Sequence, residues 1–442
     1  MAIESEVKTK SDRRESFREY MRKLNPTAPA KTIIDSGLAV QNLHGSLHQT
    51  MAARADLDPG SQQILVGGIG SGKTTELLLA ERWLKHQGGT LSLYIDISAE
   101  TDLSGLNSGA LLAGFGLHLS AAFEALDMGG TIVREEGFLS PRQQSILKDL
   151  RGQLKEFAFG KTESVWVSRD EYDQQYPGYE NSDEDRPPED HADERDEPEG
   201  YYLPQTTPGK LKPPRLFPTL QRDIEEIRKP LEFLVEILKS KSLDPVVIFD
   251  GMDRLIMPDK FWSVVDQDLR AFRRLGVAVL AAAPLSVLYG RGRLVAEHFD
   301  RVHHIPTVPA QPGQTTKLKA VLKQRGAFDL TTAANIEKIC RLSGGVLRDL
   351  ITVARDAGEA AYLDGSDEVK SVHVKAAGNQ LGESYLRGLS PDQIKILRKL
   401  TRGGGFNVAS DLGIELLVTR RVLEYSATNF QVHPALARLI AT

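Results

Sequence analysis

Gly67, four intervening residues, Gly72, Lys73 and Thr74 carry the spacing G-x-x-x-x-G-K-[ST], and the apolar Ile64-Leu65-Val66 ahead of them supplies a strand. A loop so spaced is a Walker A loop, which cradles nucleotide phosphates. Its glycines let a ligand approach bare backbone, and its amides, with the positive end of the following helix, form an anion nest. Gly67, Gly68, Gly70, Ser71, Gly72, Lys73, Thr74 and Thr75 are the expected nucleotide contacts. Lys73, in a solvent-open loop, bridges the β- and γ-phosphates of ATP, and the Thr74 hydroxyl is placed to ligate Mg²⁺. Glu76 reads as a surface acid that complements the helix dipole.

A second constellation lies in "PVVIFDGMDRL". Pro245 to Phe249 are apolar on both faces, as in a buried parallel strand, so Asp250 reaches the edge where α/β sheets bind ligands. Thr74 and Asp250 together would position one Mg²⁺. Hydrolysis needs a further group to orient water. In many ATPases of this general kind it is a glutamate directly after the strand aspartate, but here that place is Gly251, with Asp253 two residues beyond it. Asp253 also suits a helix cap or a partner for Arg254.

The D-G-h-D pattern resembles the Walker B of NACHT-type STAND signal-transduction NTPases, and the resemblance implies that Asp253 positions water. In "LSGGVLRDL", Gly344-Gly345-x-x-Arg348 resembles the lid of AAA+ proteins of the origin-recognition initiator type. There the arginine is a sensor 2 residue, so Arg348 would reach the γ-phosphate. "GSGKTTELLL" with "LYIDISAETDLSGLNSGALL" is similar to bacterial AAA/STAND-like ATP-binding proteins, and the likeness covers roughly residues 40–125 and 240–440. It also implies an arginine finger lent by a neighbouring subunit, with Arg301, Arg291 and Arg293 as the candidates. The chain departs from the pattern at sensor 1: "LAAAPLS" offers Ser286 as its first hydroxyl, so slow hydrolysis is expected.

These residues need a scaffold, and 442 residues exceed one ordinary core. The pattern predicts an α/β P-loop NTPase with a parallel five-stranded sheet, a helical lid and a C-terminal winged-helix-like domain. The expected divisions are a helical segment at 1–40, the ATPase core at 41–312, the lid at 313–387 and the terminal domain at 388–442. Residues 170–200 hold 14 acidic and 2 basic side chains, so a formal charge of -5 leaves about +7 elsewhere. This segment predicts a disordered acidic insert at about 165–215, either a solvated spacer or a decoy for a basic surface. The single Cys340 excludes an internal disulfide. Adjacent His303 and His304 face opposite ways on a strand, which argues against a shared metal.

No run is long and apolar enough for a membrane span, and the expected location is cytoplasmic. The sequence thus reads as a Mg²⁺-dependent ATPase that switches conformation or assembly between ATP and ADP, working as a homo-oligomer or with a partner protein. The alternative is ATP-licensed DNA binding, favoured by the basic balance and by Arg420-Arg421 near the wing.

Overall fold

The computed structural model describes residues 2–101, 103, 106–127, 138–159, 162–168, 200–206, 224–255, 258–289 and 292–441. Two compact units emerge, one of residues 100–236 with 264–271 and one of the rest.

The larger unit is built on a five-stranded parallel sheet. Its strands are β1 (Gln62–Gly67) and β2 (Thr90–Asp96), followed after β3 (Thr162–Ser168) and β4 (Gly200–Thr206) of the other unit by β5 (Asp244–Asp250), β6 (Ala278–Ala283) and β7 (Arg301–Ile305). They lie in the order β2-β5-β6-β1-β7. The central strands β1 and β6 are buried at every residue and β5 at all but its first, and apart from Gln62, Gln63 and Asp250 the buried residues are glycine or apolar ones on both faces. Register aligns Asp96 with Asp250, and Gly67 with Ile305, so these strand ends share one edge. This is a P-loop NTPase fold.

Helices cover the sheet and then form the lid. Before β1 stand α1 (Ala2–Lys23), α2 (Ala30–Asp35) and α3 (Leu47–Leu57); α4 (Lys73–Gln87) follows β1, and α5 (Ile97–Glu100) follows β2. Leu77, Ala80 and Leu84 of α4 pack with Met51 of α3 and with Leu65, Ile248 and Leu280 of the sheet. The other unit contributes α6 (Ala110–Asp127) and α7 (Pro141–Phe159), after which α8 (Ile224–Ser240) and α9 (Pro258–Leu275) run between the units in sequence. Next come α10 (Gly292–His298) and the lid helices α11 (Thr316–Gln324), α12 (Ala333–Leu342), α13 (Leu347–Leu363) and α14 (Ser371–Leu386). Phe17, Tyr20 and Leu24 at the end of the N-terminal segment belong to the lid's own core, beside Leu318, Ile336, Cys340 and Leu350.

The terminal domain comprises α15 (Pro391–Thr401), α16 (Asp411–Val418), β8 (Val422–Ser426), β9 (Asn429–Val432) and α17 (Pro434–Ile440). Ser390 caps α15 in a reciprocal box with Gln393, and β8 and β9 form the expected hairpin.

In the smaller unit, Phe115 and Phe123 of α6 and Phe157 of α7 are fully buried. β3 pairs antiparallel with β4, Thr162 opposite Thr206 and Ser168 opposite Gly200. The span expected to be disordered at 165–215 therefore includes ladder, because β-branched and aromatic residues, Val165-Trp166-Val167 and Tyr201-Tyr202, flank the acidic run on each side. Residues 169–199 and 207–223, which hold most of that span, lie outside the described residues. Among the described residues no helix is long and apolar enough to cross a membrane.

Candidate nucleotide site

The P-loop joins the carboxyl end of β1 to α4. Gly70 and Gly72 take φ of +79° and +104°, a left-handed conformation that side chains resist, and they fold the loop back on itself. Lys73 is only 4% exposed rather than solvent-open. Its Nζ donates to the carbonyls of Gly67 at 2.8 Å and Gly68 at 3.0 Å, and lies 2.9 Å from Oδ2 of Asp253. The carboxylate assigned to water is thus held at the P-loop by the motif lysine, and the pairing considered with Arg254 gives way to this one.

Asp250 emerges beside them from β5. Its Oδ2 accepts the Tyr94 hydroxyl at 2.6 Å, its Oδ1 accepts the Gly251 amide at 2.8 Å, and the Thr74 hydroxyl hydrogen-bonds the same carboxylate. Burial pushes the Asp250 carboxyl above the ordinary carboxylate range against these hydrogen bonds, and the nearby Asp253 adds to the rise. Burial and the Asp250 carboxylate likewise push the Tyr94 hydroxyl up. A buried carboxylate bonded to a hydroxyl is a pair of hard oxygen donors whose burial a divalent cation would offset, so Thr74 and Asp250 are residues that would suit Mg²⁺. Such a cation would neutralise phosphate charge.

Gly251 has φ +81°, and a Cβ there would stand 2.6 Å from Oδ1 of Asp96 and 2.7 Å from Oγ of Ser98. Asp96 is fixed in that place because its Oδ1 accepts both the Ser98 amide and hydroxyl. The missing glutamate therefore has a steric cause.

Arg348 opens α13 and is exposed. Its Cβ stands 3.0 Å from where a Gly70 side chain would begin, so the lid arginine sits against the loop. Ser286 is fully buried in a short 3₁₀ turn (Leu285–Leu288) after β6.

Other assignments fall elsewhere. Arg301 is exposed at the amino end of β7, four residues and about 13 Å along the strand from the edge that carries the P-loop. Within one chain it is at the opposite end of the strand from the P-loop. Arg291 and the Arg293 side chain lie outside the described residues. Glu76, expected at the surface, is 2% exposed and accepts the His48 amide at 3.1 Å, and burial raises its pKa. His303 bonds Gln63 at 2.8 Å while His304 faces Glu424 at 3.4 Å, and the described residues contain no metal-ready cluster of acids, histidines and cysteines. Arg420 and Arg421, read as wing residues, are engaged in the protein: Arg420 pairs with Asp349 at 3.0 Å, and Arg421 donates to the carbonyls of Tyr385 and Arg387.

Three contributors were not visible in the sequence. Tyr94 and Asp96 reach the site only because β2 pairs in register with β5. His44, 27 residues before the loop serine in the chain, bonds the Ser71 carbonyl through Nε2 at 2.9 Å and lies against Gly72. Burial lowers its pKa, with Lys317 adding to the effect against the hydrogen bond.

Neither a protein-family model nor a curated protein sequence matches the chain. Among solved structures it is similar to the ORC2 protein of Aeropyrum pernix in ADPNP-ADP complexes, with 14% identity, coverage of 89% of this chain and 90% of that one, and a TM-score of 0.42. Drosophila ORC bound to DNA gives 11% identity, 96% and 91% coverage and a TM-score of 0.42. The Thermotoga maritima RuvB Holliday junction branch migration motor gives 12%, 89% and 92%, and 0.38.

Proposed function

We propose that the chain is a Mg²⁺-dependent ATPase of AAA+/STAND-like type whose lid and terminal domain change conformation or assembly with nucleotide state. The observation that carries this reading is the convergence of Lys73, Thr74, Asp250, Asp253 and Arg348, drawn from the P-loop, β5, the turn after it and α13, on one edge of the sheet. In this reading the P-loop amides and Lys73 bind the phosphates, Thr74 and Asp250 hold Mg²⁺, and Arg348 reports the γ-phosphate. Asp253 leaves Lys73 when phosphate takes that cation, and its freed carboxylate then orients water. Arg301, facing away from its own site, acts on a neighbouring copy.

Asp253→Asn tests the catalytic assignment. It should retain Mg·ATP binding and lose at least about tenfold in turnover, since a water-orienting group acts in the transition state. Unchanged turnover would return Asp253 to a partner of Lys73 alone. Sedimentation of the parent with ATP and with ADP tests the switch, because equal size and shape in both would contradict it.

A DNA-binding reading is favoured by one observation, the exposed Lys395, Arg398 and Lys399 on a single face of α15, with the exposed Arg402 at its C-cap. The exposed side of α16, by contrast, carries Asp411 and Glu415, which oppose groove reading by that helix. Salt-dependent DNA affinity of the ATP-bound chain separates this reading from the first.

A further inference from the structure

Arg348 and Asp349 are adjacent in the first turn of α13 yet point to different surroundings. Arg348 is exposed beside Gly70, whereas Asp349 is 3% exposed. The Asp349 carboxylate accepts the Tyr385 hydroxyl of α14, accepts Nη1 of Arg420 at 3.0 Å, and lies 3.3 Å from Nε2 of His433. Burial alone would push its carboxyl up, but the nearby His433 ring, the Arg420 charge and the Tyr385 hydroxyl outweigh it and hold the group below the usual carboxylate range. Asp349 is a buried acid compensated by partners that arrive from elsewhere.

Two of the three belong to the terminal domain. Arg420 follows α16, and His433 caps α17 while its ring stacks 4.6 Å from that of Tyr385. Contacts on the N-terminal side of the turn reinforce the junction. The Gly344 carbonyl accepts the Tyr425 hydroxyl of β8 at 2.6 Å, and the Thr307 amide donates to the Glu424 carbonyl at 2.9 Å. Gly345 lies so close to Val308 that a Cβ would stand 1.7 Å from its carbonyl oxygen. The turn that presents Arg348 to the P-loop is thus seated on the terminal domain.

We propose that Asp349 is a positioning residue: its hold on Arg420, His433 and Tyr385 sets Arg348 against the P-loop, so that phosphate contact by Arg348 and docking of the terminal domain form one linked equilibrium. Linkage is reciprocal, so weakening the docking must weaken ATP binding, and bound ATP must tighten the docking. The inference rests on the nucleotide site proposed above.

The test is calorimetric titration of ATP with Mg²⁺ into the full chain and into Arg348→Ala, Arg420→Met and the double variant, with melting of each protein recorded without nucleotide. Each single substitution should lower ATP affinity about tenfold, and the double variant should lose little more than either, since both break one coupled unit. Hydrogen exchange supplies a readout that mere structural support would not move. At saturating ATP, amides of β8 and α17 should exchange more slowly in the parent and be unaffected by ATP in Arg348→Ala. Should Arg420→Met not fold, Tyr385→Phe replaces it, with the same expected direction. A folded Arg420→Met or Tyr385→Phe protein with parental ATP affinity would overturn the proposal, as would ATP-dependent protection that survives Arg348→Ala. A parent that binds no ATP would instead overturn the nucleotide reading, and with it this inference.

Discussion

Gly251 stands where many P-loop ATPases place a glutamate, and its surroundings crowd any side chain there. With φ +81° and a prospective Cβ 2.6 Å from Asp96, Gly251→Glu should cost at least about 2 kcal/mol of stability and should not raise ATP turnover. A thermal melt and a turnover assay check this, and a stable, faster variant would contradict it. His303 makes a second residue-level expectation. Burial holds its pKa down at about 4 from an ordinary 6.5, with Arg301 and Arg54 adding to the effect. The folded protein thus binds its proton less readily than the unfolded chain, so this contribution is complete above pH 6.5 and is lost as pH falls toward about 4. His303→Gln should flatten that part of a stability-against-pH curve measured by denaturant unfolding. Lys73, Thr74 and Asp250 were legible because a strand followed by a tight loop fixes position within a few residues. His44, Tyr94 and Glu76 were not, since what places or buries them is pairing between distant segments.

Among the elements, α1 shows most clearly what patterning leaves out. Its sequence is dominated by charge; among its described side chains Phe17 and Tyr20, with Leu24 just beyond, enter the lid core and Met21 packs against it. So few apolar residues do not announce a buried face. Yet the fit is close: Gly358 in the middle of α13 lies where a Cβ would meet the Tyr20 ring at 2.5 Å, and the Tyr20 hydroxyl donates to the Ala354 carbonyl at 3.0 Å. Tyr20→Ala should therefore cost about 3 kcal/mol or more, read as a lower denaturation midpoint, whereas an independent N-terminal segment would show almost no effect. The strands β5 and β6 were the easy elements, since unbroken apolar runs bounded by turn residues allow few other structures. β3 and β4 were obscured by the acidic run between them, which dominates any window of composition. The lid arginine could be placed because glycines break one helix and the next begins one residue before it, but the contacts of its turn with the terminal domain run through Asp349, Arg420 and His433, which are far apart in sequence.

For the whole molecule, the uneven charge, the parallel sheet and the helices that follow it were readable from composition and periodicity, but the partners of the buried charges were not. Lys73 satisfies Gly67, Gly68 and Asp253 at once, so in the proposed reading an arriving phosphate would compete for a cation already in use, and that competition would tie the P-loop to Asp253. Everything proposed for lid, terminal domain and assembly depends on nucleotide binding at this lysine. Calorimetric titration of ATP with Mg²⁺ into the parent and into Lys73→Ala measures it most directly, with a cooperative melt confirming that the variant is folded. The expected result is tight binding by the parent and a loss of about a hundredfold or more in the variant, the scale of a charge-assisted hydrogen-bond set to phosphate. Equal ATP affinity in the two folded proteins would contradict the assignment.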